Sequence, residues 1–409
     1  MPVVSRLAGI VAAVAAIAAT GVAKAEPVKL TWLMWSGSEA EVEAWKHVAG
    51  LVTEEHPDIT VEFQTTSFPD YWTKLPVLAA SNQLPDIVSL QAQRAPGFVD
   101  LMTPLDDLIE ADGFDIDAFD PSIVEGLSRD GERFAIPYDF GPLILYYNRD
   151  LFAQAGVPEP KPGWTEAAFN EAARALTTGD RFGFAVSIPD AFMTYALSTG
   201  AHYLDEDGEL DLTSQGMVDA FKRYAELVST EKVAPLMPSS GTQSSSMAAA
   251  RFTSGNVAMH VNGPWQMINI KGKSGFTVGV APVPAGAAGS ISVSAGSGFG
   301  ISASSPNQEA AWKAIKVMTG PKAEQYLAEQ GRAFPARTAQ QSFWYDKAAE
   351  GVVGAREGIP AAIATARPYA TTPAWASVSA LFEQYAPVAF AGSESPEEVL
   401  ETIQALSDQ

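Results

Sequence analysis

Between Val28 and Leu90 the hydrophobic period switches repeatedly, and this stretch restricts the fold more than any other part of the chain. VKLTWLMW, residues 28–35, is nearly continuously apolar, the pattern of a strand buried on both faces of a parallel sheet. Ser36-Gly37 reads as a turn, and Ser38 followed three residues later by Glu41 has the spacing of a capping box that opens a helix. Along that helix Val42, Trp45, Val48 and Val52 recur at three- and four-residue steps, so one face packs while Glu39, Glu43 and Lys46 point outward. A second strand over 59–65, a helix over 68–80 and a third strand over 85–90 complete a βαβαβ unit. Such a unit forms a parallel sheet with flanking helices, and ligands bind beyond the carboxyl ends of its strands. Trp35, Ser36, Gly37, Ser67, Gln91, Gln93 and Arg94 therefore project toward one edge.

At 409 residues the chain exceeds one ordinary core, so two lobes are expected, and 47% apolar with 18% charged residues is a globular composition. A net charge of −22 with no Lys/Arg cluster argues against nucleic acid, whose phosphates demand clustered bases. Arg6, the uncharged run 7–22 and Ala23-Lys24-Ala25 read as a cleavable signal peptide, 1–25, with the mature chain starting at Glu26. The competing reading, a membrane span, is weaker because the run is half alanine and short of the ~20 residues that spanning needs. Removing the leader takes away two bases and no acid, so the mature chain is more acidic still. With no cysteine there is no thiol for lipid attachment and no disulfide, which fits a protein free in a Gram-negative periplasm.

Residues 135–148, AIPYDFGPLILYYN, read as a strand interrupted by Pro137, Gly141 and Pro142. On its own the pattern allows an edge strand with its prolines at a bulge, or a crossover between two bodies. After it a fresh set of elements begins: a helix capped by Thr165, a strand over 182–187, a helix after Thr213 or Ser214, strands over 255–261 and 276–282, and a strand over 298–302. Asp205-Glu206-Asp207-Gly208 carries D-x-D-G, but the twelfth position of a calcium loop would be Gly216, so a tight hairpin turn is expected.

Catalytic and cofactor signatures are weak. Gly296, Gly298 and Gly300 mimic a dinucleotide fingerprint, yet a strand rather than a helix follows, so the glycines are expected to let a strand bend and no cofactor is assigned. His47, His56, His202 and His260 have no metal-like spacing, and no G-x-S-x-G elbow occurs. Paired carboxylates leave a secreted glycan hydrolase as an alternative. The sharper signal is aromatic: Trp35, Trp265 and Phe299, the last beside Gly298, stand at strand ends next to small residues, where flat rings can meet the C–H faces of a sugar.

In Leu84-Pro85-Asp86-Ile87-Val88, Ile136-Pro137, Leu145-Tyr146-Tyr147-Asn148, Asn262-Gly263-Pro264-Trp265, Ser304-Ser305-Pro306, Gly331-Arg332 and Pro335-Ala336-Arg337, the chain resembles the extracellular solute-binding proteins of ABC importers, in particular the maltodextrin-binding-protein-like sugar binders. The resemblance covers essentially the whole mature chain and implies a two-lobed α/β periplasmic-binding-protein fold of type II, each lobe a mainly parallel sheet flanked by helices. It divides the chain into lobe 1 (26–138 with 283–338) and lobe 2 (139–282 with 339–409), with crossovers near 136–142, 280–284 and 338–345. It also implies hinge closure on a sugar, hand-over to a membrane permease, and a monomer. Trp265 matches the family's stacking tryptophan and Arg94 a rim arginine, while Ser38, Glu39, Leu90, Gln93 and Gly141 depart from the maltodextrin binder. Asp139 at the crossover then lies at the cleft floor, and the hinge reading of 135–148 is preferred. If Arg94, Arg332 or Arg337 points inward, an anionic solute such as a sugar phosphate or sulfonate becomes the alternative ligand.

Overall fold

The computed structural model describes residues 27–238 and 244–407, so the expected signal peptide lies outside the described residues. β1 (Val28–Trp35), α1 (Glu39–Glu55), β2 (Ile59–Thr66), α2 (Phe68–Ala80) and β3 (Ile87–Gln91) form the expected βαβαβ unit, with β1 between β2 and β3 and parallel to both. Ser38 and Ser67 cap the two helices, each side chain accepting a backbone N–H from the first turn. A small hairpin, β4 (Ser128–Arg129) and β5 (Glu132–Arg133), precedes β6 (Ile136–Pro142) and β7 (Ile144–Asn148). Later come β8 (Met259–Asn262), β9 (Val278–Ala281), β10 (Val293–Ile301) and β11 (Arg367–Pro368).

The strands sort into two principal sheets. The first runs β11-β10-β3-β1-β2, with β6 also paired to β10, and the second runs β8-β7-β9. β6 and β7 are separated by Leu143 alone yet belong to different sheets, and β9 to β10 makes the same exchange in reverse. The two passages are tied together: Leu143 N donates to Val293 O at 3.2 Å and Ser292 Oγ donates to Leu143 O at 2.9 Å. β6 is at once a crossing strand and an edge, since beyond β10 it makes only a single bridge, Asp139 to Pro335.

The second sheet differs from the parallel arrangement expected, because β7 pairs antiparallel with both β8 and β9. Tyr147 faces Met259 and Asn148 faces Val278, so each helical excursion brings the chain back to the end at which β7 finishes, and the returning strand must run the other way. Residues 182–187 join it only through single parallel bridges, Phe182 to Val257 and Ala185 to His260. Along β7 the side chains alternate between two cores: Ile144 and Tyr146 pack with one, and Leu145 and Tyr147 with the other. The 205–211 turn forms as expected, with Asp205 N donating to Glu209 O and the Asp205 carboxylate accepting from the Asp207 and Glu209 amides.

β10 begins five residues before the expected strand, so the Gly/Ala/Ser stretch is itself part of the sheet. Its glycines are required by close approach: a Cβ at Gly296 would stand 2.5 Å from Asp139 O, and one at Gly298 2.6 Å from Ile136 O. Phe299, expected at the ligand edge, is instead fully buried, stacked on Tyr138 at 4.7 Å and edge-on to Trp32 at 5.3 Å. The room beside those glycines is filled by neighbouring backbone and the Leu127 side chain, which is why neither Gly298 nor Phe299 reaches a ligand surface. Phe299→Ala is expected to destabilise the protein by about 3–5 kcal/mol, read from urea unfolding, as for other large core truncations.

Candidate functional site

Where the ends of β1, β2 and β3 face the chain from the second sheet, a cavity of about 1140 Å³ opens. Trp35, Ser36, Gly37, Ser67, Gln91, Arg94, Asp139, Trp265 and Arg332 line it; Gly298 and Phe299 do not. Strand ends supply the first six, β6 supplies Asp139, and the turn after β8 supplies Trp265. Arg332 follows the helix Pro321–Gln330, whose C-cap Gly331 sits at φ 74°, the left-handed conformation that turns the chain back.

At one end of the cavity Arg332, 4% exposed, is held between two carboxylates: its Nε is 3.5 Å from Glu41 and its Nη1 3.6 Å from Asp139. The guanidinium lies over the Trp45 ring at 4.6 Å. Glu41 does not complete the capping box expected of it. Its carboxylate instead accepts the Gly37 N–H at 3.3 Å and the Asn269 amide at 2.8 Å, so it is turned into the cavity. Burial pushes the Asp139 carboxyl up to about 7, with Arg332 opposing the shift.

At the other end Arg94, 8% exposed, is clamped between Phe68 and Trp72, each ring 5.1 Å away, and donates to Gln91 Oε1. Burial lowers its pKa, and the charge of Asp190 counters that. Tyr369 in turn donates to Asp190 at 2.9 Å. Trp35 packs edge-on against Phe68 and Tyr71 and is 7% exposed, so it offers the cavity little surface. Trp265 is half-buried and its indole lies against its own turn, where a Cβ on Gly263 would come within 2.1 Å of the ring.

Among the described residues, six polar atoms of lining residues are buried without a hydrogen-bond partner: Trp72 Nε1, Arg94 Nε, Tyr138 Oη, Asp139 Oδ1, Asn269 Oδ1 and Arg332 Nε. Walls that hold both donors and acceptors suit a ligand that both gives and takes hydrogen bonds, as a polyol does. Arg337 lies elsewhere, its Nε donating to Thr319 O at 2.6 Å and its guanidinium over Phe119.

Sequence reasoning missed Glu41, Phe68, Trp72, Asp190, Asn269 and Glu383, all of which line the cavity. The strand-end rule would have found the first three had it been carried one turn into α1 and α2. Asp190, Asn269 and Glu383 come from distant helices and carry no local signal. Glu383 accepts the Ser244 N–H and hydroxyl, and burial raises its carboxyl to about 7. Among the described residues no group of His, Cys, Asp and Glu could hold a metal ion, and no helix is long and apolar enough to cross a membrane.

The model of a family described as bacterial extracellular solute-binding protein matches residues 36–325. A Brucella abortus protein described as a binding protein is 26% identical over 320 residues, covering 75% of each chain. A lactose-binding protein of Rhizobium radiobacter is 29% identical over 232 residues, 55% of this chain and 53% of that one. Among solved structures, an ABC substrate-binding protein of Listeria monocytogenes in complex with cycloalternan superposes with a TM-score of 0.84 at 23% identity, over 93% of this chain and 98% of that one.

The Asp139 shift predicts a pH dependence. A carboxyl whose folded pKa of about 7 lies above its ordinary 3.8 keeps its proton through that window only when folded. Its contribution to stability is therefore complete below the ordinary value and lost as pH rises through the folded one. Relative to Asp139→Asn, the native protein is expected to lose stability between about pH 4 and about pH 8, measured by urea midpoints.

Proposed function

Because the chain belongs to the bacterial extracellular solute-binding protein family, we propose that it captures a small neutral carbohydrate between two lobes and delivers it to an ABC-transporter permease. Its function is binding, not catalysis. In this reading residues 26–138 with 283–338 form one lobe and 139–282 with 339–409 the other. The strands that exchange sheets act as the hinge, and the protein works as a monomer in the periplasm after cleavage behind Ala25, without a lipid anchor.

The observation that carries the neutral-sugar reading is that both cavity arginines are already engaged by protein groups. Arg332 stands beside Glu41 and Asp139, and Arg94 is packed between Phe68 and Trp72 and donates to Gln91, so neither guanidinium is presented bare to an anion. What they offer is Nε donors beside carboxylate and amide acceptors, with Trp265 supplying an apolar ring for a sugar face. The lactose-binding relative supports the same ligand class. The anionic alternative draws on one fact, that two buried guanidinium groups do line the cavity.

A thermal-shift screen over neutral mono- and disaccharides and their phosphates separates the two, since a ligand bound only by the native state raises Tm. A rise with neutral sugars is expected; a rise with phosphorylated sugars alone would replace this reading by the anionic one. With the best neutral sugar, Trp265→Ala is expected to weaken calorimetric affinity at least about tenfold, with Tm of the free protein little changed because the ring is half-exposed. Small-angle scattering at saturation should show a smaller radius of gyration, and an unchanged value would remove lobe closure from the mechanism.

A further inference from the structure

The ring of Trp265 is seated on a single peptide. A Cβ on Gly263 would stand 2.1, 2.2 and 2.3 Å from three atoms of its six-membered ring, so one face of the indole covers that glycine while the half-buried side chain lines the cavity. Both polar groups of Gly263 are pinned. Its N–H donates to Asn262 Oδ1 at 2.8 Å, and its carbonyl accepts the Tyr146 hydroxyl at 3.0 Å and the Gln266 N–H at 3.1 Å. Asn262 is itself held, its amide donating to Ser245 Oγ at 3.1 Å.

These holds come from both strands of the crossover. Tyr146 belongs to β7. It is fully buried, opposes His260 in the pairing with β8 and lies along that imidazole with ring centres 5.3 Å apart, and its hydroxyl reaches the turn beyond β8. Gly141 belongs to β6, and a Cβ there would come 2.9 Å from Pro264 Cγ, so the proline ring rests on bare backbone of the first sheet. β6 and β7 lie in different sheets with Leu143 alone between them. A turn fastened to both strands moves when the angle between them changes, and it carries the indole with it.

Resting on the reading of Trp265 as a surface for a sugar, we infer that Tyr146 is a positioning residue for Trp265: it fixes the peptide beneath the ring and, together with Gly141, ties the orientation of the ring to the crossover itself. Tyr146 is not part of the cavity lining, so it acts through the indole. The Gly263 carbonyl keeps the Gln266 N–H when the hydroxyl is removed. Tyr146→Phe therefore cuts the tether without leaving a buried acceptor bare, and the aromatic ring keeps its packing against His260.

Fluorine NMR of the intact mature protein grown with 5-fluorotryptophan reads the ring without any ligand, and Trp265→Phe identifies its resonance among those of the nine tryptophans. Tyr146→Phe and Gly141→Ala are each expected to shift or broaden that resonance. Tyr71→Phe removes a bond of the same kind, to Ser89 O in the first sheet, and is expected to leave it in place. A resonance unmoved by Tyr146→Phe, or moved equally by Tyr71→Phe, overturns the positioning role; one unmoved by Gly141→Ala overturns the tie to β6. Calorimetry with maltose and with lactose adds a double-mutant cycle. Tyr146→Phe is expected to weaken whichever sugar binds about five- to tenfold, by loss of one hydrogen bond, but by less than about twofold in the Trp265→Ala background. An equal loss in both backgrounds means that Tyr146 acts on something other than Trp265 and overturns the inference. Binding of neither sugar counts against the carbohydrate reading alone, because the fluorine result decides the placement of the ring by itself.

Discussion

The structure depends on how closely β10 lies between β3 and β6. Three glycines in alternate positions let its backbone approach the 134–139 segment where any Cβ would collide with a carbonyl oxygen, while β3 pairs along its other side. That approach brings the end of a parallel βαβαβ unit and the first crossing strand into one continuous sheet. Without it Gln91, Ser297 and Asp139 would not stand in line, and the cavity would have no common floor. The same fit dictates which face is which, because the side of β10 that carries no side chains receives Ile123 and Leu127 from the core.

Two guanidinium groups are buried in the walls of this cavity, and burying them is costly unless carboxylates and ring faces compensate. Arg332 has both, through Glu41, Asp139 and Trp45; Arg94 has Gln91, two aromatic rings and the field of Asp190. Compensation by charge leaves their Nε donors unused, which is a different state from an exposed arginine saturated with water.

Much of this was legible in the chain. The βαβαβ unit was readable because strands buried on both faces are nearly continuous apolar runs and their helices open with serine caps. The strand-end rule then pointed to Trp35, Ser36, Gly37, Ser67, Gln91 and Arg94, which do line the cavity, and to Gln93, which does not. Phe299 was misread because small neighbours signal space without saying what fills it, and here it is backbone. The early start of β10 was hidden by its Gly/Ala/Ser composition, poor in strand formers, so pairing on both sides overrode local preference. Glu41 looked like a helix cap and became a cavity carboxylate because Asn269, 228 residues away, supplied a partner no local pattern could announce.

The bonds that tie Leu143 to Val293 and Ser292 carry a mechanical consequence. Two chain passages joined side by side behave as a double strap rather than as two separate tethers. Neither can swivel or stretch without dragging the other, so most relative displacements of the two sheets are suppressed. In the proposed closure, such a strap would favour rotation about an axis in its own plane over the other ways in which two bodies can move.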